Sequence, residues 1–249
     1  MKKSVLLKSP QRIMTRKYFL TELNKLMGSY LAEHGFKIKQ NCTICKTAND
    51  FFCTIDLSFL TYNTIRLSSI HCWIKMVSLE KASTEIYYGH LTKEQIKEQY
   101  QMAVTLYGPR KEVEVDIYQD EQISLFVIAF KDYFEKVLLP FFNKYSDIQA
   151  LSERYQEYDL EYQEGTGYIG DFKYLEKKGF SLGYSHAPST IGRRVLIMKY
   201  INDPKVNDFI KWYQSCIESG QVGLESSKDY YLEVVQKLID WEVPQKYLK

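Results

Sequence analysis

Side chains at Phe19, Leu23, Leu26, Tyr30 and His34 recur at steps of four, three, four and four, the repeat that lines one face of a helix. The spacing predicts a helix over Thr15 to His34. Gly35 stands where a left-handed stop is wanted, and Phe36 where the apolar contact that seals such a stop falls. From Phe36 the period changes to two. Phe51, Cys53, Ile55, Leu57 and Phe59 alternate with Phe52, Thr54, Asp56, Ser58 and Leu60, which predicts a strand buried mainly on its odd face. Tyr62-Asn63-Thr64 supplies a turn. A second strand follows, with Ile65 and Leu67 on one phase and Ile70, Cys72, Ile74 and Met76 on the other. The slip near Ser68-Ser69 predicts a bulge or a break. Lys37 to Lys46 adds a further strand, so an antiparallel meander is expected behind the first helix.

Helical signals then return. Thr92 with Gln95 reads as a capping box, ahead of a face through Ile96, Tyr100, Ala103, Val104 and Tyr107 that Gly108-Pro109 ends. Val113, Val115 and Ile117 alternate with acidic residues as a short strand. Asp120 caps the most apolar helix, Glu121 to about Leu139, whose face runs through Ile123, Phe126, Val127, Phe130, Phe134, Val137 and Leu138. Pro140 must kink or end it, because it lacks the amide donor. Asp147 starts a short helix with Leu151 and Tyr155. Acidic residues over Glu153 to Glu164, followed by Gly165, Gly167 and Gly170, mark a boundary. Two domains are therefore expected: an α+β domain over 1–160, and a glycine-rich loop with a mainly helical subdomain over 161–249. The latter holds helices at Asp203 to Ser219, with Pro204 at the first helical position, and at Ser227 to Trp241, stopped by Pro244.

Composition narrows the classes. A chain of 249 residues is roughly 1.7 domains at ~150 residues each, enough for one substantial core. Lys plus Arg is 33 against 31 for Asp plus Glu, so no polyanionic or polycationic partner is implied. Two early lysines and Val5-Leu6-Leu7 imitate a signal peptide, but Lys8 and Pro10 cut the apolar patch short of the ~7 residues needed. With five cysteines, an odd count, reduced thiols and a soluble cytoplasmic protein are expected.

Gly35-Phe36-Lys37 at a helix end, a meander, then a long apolar helix into Leu139-Pro140-Phe141-Phe142 and Lys144-Tyr145-Ser146-Asp147 resemble a family of uncharacterised bacterial α+β domains. Met198-Lys199-Tyr200-Ile201-Asn202-Asp203-Pro204 is similar to its closing helical part. The likeness covers roughly residues 15 to 215, and every anchor is structural: a helix stop, a kink, a helix start. The family is known only as a domain of unknown function, with some relatives near toxin–immunity loci. The resemblance implies a role in binding a toxin-like protein and brings no catalytic motif.

Chemistry finds few footholds. Gly165-Thr166-Gly167-Tyr168-Ile169-Gly170 matches GxGxxG, but the acidic run before it is no apolar strand and would repel a pyrophosphate. A kinase reading fails because the 50 residues after Lys199 hold neither HRD nor DFG. Cys42-x-x-Cys45 with Cys53, His71 and Cys72 is the one metal-like cluster. It lacks a second knuckle, and Cys53 falls on the apolar strand face, so no zinc and no other cofactor is expected. None of His34, His71, His90 and His186 falls in a recognisable triad or metal motif. His186, in a loop ending at Pro188, is the place for a nonstandard enzyme site, the alternative to a binding role. Basic pairs at Lys2-Lys3, Lys177-Lys178 and Arg193-Arg194 form no stripe with interleaved aromatics, so nucleic-acid binding is not expected. A partner surface is placed on the meander instead. His71, Trp73 and Lys75 share a phase opposite to the apolar residues of their strand, and Asp56 does so on the strand before. If helices cover only the apolar face, these four stand together on the other, with Trp73 as the anchor. If both faces are covered, Trp73 is core.

Overall fold

The computed structural model describes residues 15–61, 65–117, 119–164, 188–220 and 225–244. The fold is α+β: an antiparallel sheet with helices, the helices gathering toward the C-terminus. The chain divides into two compact units, Met1–Ile74 with Tyr107–Asn143, and Lys75–Leu106 with Lys144–Lys249. This is not the expected split at residue 160. Residues 75–106 lie inside the first stretch of sequence yet fold with the C-terminal helices, through contacts that sequence spacing does not encode.

The first unit opens with α1 (Arg16–Glu33). The Thr15 hydroxyl accepts a hydrogen bond from the Tyr18 amide at 3.1 Å, closing its N-terminus. At the other end Gly35 takes φ +80°, Phe36 N–H bonds Leu31 O and Gly35 N–H bonds Ala32 O, both at 2.9 Å. That is the expected stop. The buried line is Phe19, Leu23, Met27 and Leu31, and here the expectation needs correcting: Leu26 is 51% exposed. Strict four-residue steps drift slowly around a helix, whereas the three-residue step to Leu26 crosses to the neighbouring line. Tyr18 and Tyr30 lie on that neighbouring line, and their hydroxyls bond Asp120 and Glu135 of the long helix at 2.9 and 2.7 Å.

Strands β1 (Lys37–Ile38), β2 (Thr43–Ala48), β3 (Phe51–Thr61) and β4 (Ile65–Met76) form the meander, so Lys37 to Lys46 is a hairpin of β1 and β2 rather than one strand. β5 (Leu106–Tyr107) and β6 (Lys111–Ile117) both pair with β4. The β4–β6 register slips between Leu67 and Ser69, where the phase change predicted a bulge. α4 (Asp120–Tyr133) passes through a π-helical turn, Phe134–Leu138, into α5 (Leu139–Tyr145). Pro140 has no N–H for the carbonyl four residues back, so the α-helical ladder breaks ahead of it. The Leu139 amide reaches Phe134 O and the helix resumes with Pro140 in its first turn, where a missing donor costs nothing.

Cross-strand pairs sort the side chains of this sheet into two faces. Ile44 opposes Ile55 and Lys46 opposes Cys53 on one; Thr43 opposes Asp56 and Cys45 opposes Thr54 on the other. The first face carries the aromatic core. Phe19 packs on Phe59 at 5.2 Å and on Phe126 at 5.7 Å, while Phe36 meets Phe134 and Phe142, each at 5.4 Å. Burying each such ring contributes up to about 1.5–3 kcal/mol, an upper bound because the unfolded chain is already partly collapsed. The second face is polar.

The second unit contains α2 (Val77–Tyr88), α3 (Lys93–Met102), α6 (Ile148–Glu164), α7 (Pro188–Tyr200), α8 (Val206–Glu218) and α9 (Lys228–Asp240). The Thr92–Gln95 capping box is formed in both directions, at 3.0 and 3.3 Å, but α3 stops at Met102 and buries none of its residues. Asp147 accepts from the Ala150 amide at 2.9 Å, and the helix it starts is long rather than short, running through the acidic stretch to Glu164. Pro204 stands two residues ahead of α8, in the turn where Asp203 accepts from the Lys205 amide.

α2 escapes a periodicity search because it is buried nearly all round: Ser78, Leu79, Glu80, Ala82, Ser83, Thr84, Ile86 and Tyr87 are all interior. Glu80 is 0% exposed and takes the Arg193 Nε at 2.8 and 2.9 Å and the Thr105 hydroxyl at 2.7 Å. Thr105 in turn accepts the Met76 amide at 2.8 Å on its hydroxyl and the Tyr155 hydroxyl at 2.7 Å on its carbonyl. Tyr87 lies against Gly192 of α7, where a Cβ would collide with the ring, and its carbonyl accepts the Tyr230 hydroxyl. This polar web explains the division of the chain: α2 and Thr105 must fold where Arg193 and Tyr155 are.

Candidate functional site

Three of the four residues expected to form a partner surface stand on the polar face of the sheet. Asp56, His71 and Trp73 are each half-buried. Asp56 and His71 are close enough for the imidazole to act on the carboxyl, which places β3 and β4 in the expected phase. Cys53 and Cys72 couple in the same way, consistent with both lying on the opposite, helix-covered face.

Lys75 requires a correction. It is 8% exposed, and its ammonium donates to Tyr100 O at 2.6 Å and Gln101 O at 3.1 Å, above the Tyr100 ring at 4.7 Å. A cation there satisfies the last carbonyls of α3 and complements its negative end. Burial pulls the amine below its usual range, with Glu80 opposing that fall. Lys75 is a helix cap, so it leaves the surface.

Two residues that the alternation alone did not single out join the site. Ser69 is 2% exposed and its Oγ lies 2.7 Å from His71 Nε2. Thr54 is 1% exposed, and its hydroxyl finds no hydrogen-bond partner. The signal for both was parity: Thr54 precedes Asp56 by two and Ser69 precedes His71 by two, so each shares its partner's face.

Ser69, His71 and Asp56 invite comparison with a hydrolytic triad. The serine–imidazole bond is present, but among the described residues no hydrogen bond joins Asp56 to His71, so nothing of that kind fixes the tautomer. Ser69 is also too enclosed to meet a substrate without movement. The arrangement is better suited to holding a polar group than to attacking one. Asp56 itself takes neither a hydrogen bond nor an ion pair among the described residues. Burial raises its carboxyl above the ordinary range, and His71 partly offsets the rise.

The cysteines are all free and buried. Sheet parity divides them: Cys45 lies on the polar face, Cys53 and Cys72 on the helix-covered one, and Cys42 at φ +66° in the β1–β2 turn. Burial pushes the Cys72 thiol up to about 12 and raises Cys42, which disfavours the thiolates a metal would need. Among the described residues no group of three or more His, Cys, Asp or Glu could hold a metal ion. Arg193 and Arg194 are no basic patch either: Arg193 is held by Glu80, and Arg194 is buried with its guanidinium 4.5 Å over the Phe209 ring. The GxGxxG stretch at 165–170 and His186 lie outside the described residues.

Among the described residues no helix is long and apolar enough to cross a membrane. No protein-family model matches the chain, and neither does any curated protein or solved structure.

Proposed function

We propose that this is a cytoplasmic bacterial protein-binding module of the immunity-like kind, which occludes a toxin-like protein with the polar face of its sheet. One observation carries the reading. The Asp56 carboxylate on that face is half-buried and takes neither a hydrogen bond nor an ion pair among the described residues. A carboxylate partly withdrawn from water and left unpaired by its own fold is open to a hydrogen-bond donor from outside. Trp73, half-buried and on the same phase of β4 as His71, has the size and amphipathic edge that interface anchors favour. The fit is to binding rather than turnover, because among the described residues no group on this face is both exposed and activated as a nucleophile.

The experiment is co-expression with the protein encoded beside it, followed by purification of the complex and calorimetry with Trp73→Ala. A stable complex that relieves the neighbour's toxicity and weakens at least about tenfold in the variant supports the reading. A neighbour that is harmless, or a complex indifferent to Trp73→Ala, removes it.

A further inference from the structure

We infer that the helical unit binds a small oxyanion, a phosphate or carboxylate group, on the outer edge of the Arg193 guanidinium. This site is separate from the sheet and does not depend on the protein-binding reading. Two arginine–carboxylate pairs of this chain differ in what they leave over. Arg66 meets Asp116 side-on, with Nε on one oxygen at 2.9 Å and Nη2 on the other at 2.8 Å. Arg193 meets Glu80 through Nε alone, which donates to both oxygens at 2.8 and 2.9 Å. The edge formed by Nη1 and Nη2 takes no hydrogen bond among the described residues. The pair is nevertheless mostly interior: the Arg193 side chain is 15% exposed and that of Glu80 not at all. Neither Nη is sealed from solvent, so the edge can be reached.

The charge around that edge calls for an anion. Burial lowers the Lys75 amine, Glu80 opposes the fall and Arg193 adds to it, so the three ionised groups lie within reach of one another. Two cations against one carboxylate leave an excess of one positive charge. Among the described residues no carboxylate other than Glu80 acts on either cation. Withdrawing such an excess from water is costly unless an anion accompanies it. Glu80 has little more to give, because its oxygens already accept from Arg193 and from the Thr105 hydroxyl. The donor is also held in place. Its Nε is fixed on a buried carboxylate, and the Tyr87 ring closes against Gly192, the residue before it. A guanidinium so anchored loses little freedom when its other edge is used, and that edge matches two oxygens of a carboxylate or a phosphate. With so little of the side chain exposed, the edge suits a compact ion or the terminal group of a small molecule.

The test is an NMR titration of the isotope-labelled protein with inorganic phosphate and, separately, with acetate, each against sodium chloride at matched ionic strength. The probe is the Nε–H resonance of Arg193, assigned by through-bond correlation to its own backbone amide. The expected result is a saturable shift with an apparent Kd in the millimolar range, and none from chloride. A response to either oxyanion supports the site, and the stronger of the two tells whether the ligand presents a phosphate or a carboxylate. Arg193→Lys keeps a cation beside Glu80 but loses the two-pronged edge. The rise in melting temperature that the oxyanion gives should then need at least about ten times more of it. An equal shift from chloride, no saturation up to about 100 mM, or a variant as responsive as the parent would overturn the proposal. Circular dichroism checks the variant's fold; if it does not fold, the chloride comparison on the parent protein decides by itself.

Discussion

Two acidic groups withdrawn from water, one in each unit, are held on opposite terms. In the helical unit Glu80 lies wholly inside, yet every demand it makes is met: Arg193 neutralises it, Thr105 donates to it, and Thr105 is itself held by Met76 and Tyr155. In the sheet unit the apolar face is closed by interlocking rings, while the polar face leaves Thr54 unpaired and Asp56 unneutralised. A satisfied buried network serves the fold, fixing which helices meet. A polar group left unsatisfied costs stability.

The comparison can be broken at its strongest point first. Glu80→Gln leaves the Arg193 charge inside without a counterion, and unfolding in urea should report a loss of about 3–5 kcal/mol. The double variant Glu80→Leu with Arg193→Met should recover much of it, since removing both charges removes the penalty as well as the attraction. Additive losses would mean that the two residues do not act as a pair. Gly192→Ala forces a methyl into the Tyr87 ring, and differential scanning calorimetry should show about 1–3 kcal/mol lost through overpacking, again in the helical unit.

Effects in the sheet unit should be smaller and differ in kind. Trp73→Ala removes a half-buried ring and should cost about 1–3 kcal/mol, below the 3–5 typical of a core aromatic; a thermal melt showing the larger figure would make Trp73 core and end its role as an anchor. Asp56→Asn should do the reverse and stabilise the free protein by up to about 1 kcal/mol, discounted because the group is partly solvated. Its pH dependence follows from burial raising the folded carboxyl above the unfolded one. The native state then holds the proton more tightly, so its stability falls as pH rises from about 4 through the raised value and is level beyond it. The advantage of Asp56→Asn should therefore be smallest in acid and largest near neutrality. A variant less stable than the parent at pH 7 would show that Asp56 is satisfied within the fold.

Local chemistry determined a good deal of this protein from sequence alone. The stop at Gly35-Phe36, the Thr92–Gln95 box, the alternation of β3 and the slip at Ser68-Ser69 involve residues within a few positions of one another, so their physics is written in the spacing. The same parity brought Asp56, His71 and Trp73 to one face. What tertiary structure decided is whatever depends on distant partners. Leu26 and Met27 could not be ranked until the sheet chose a line on α1, and α2 showed no clear amphipathic signal because neighbours cover all of it but the strip with Lys81 and Glu85. Lys75 shares the phase of Trp73, yet the end of α3, some 25 residues later, claims its charge. Which polar groups are satisfied is a property of the folded whole, since each hydrogen bond needs a partner that only long-range packing delivers.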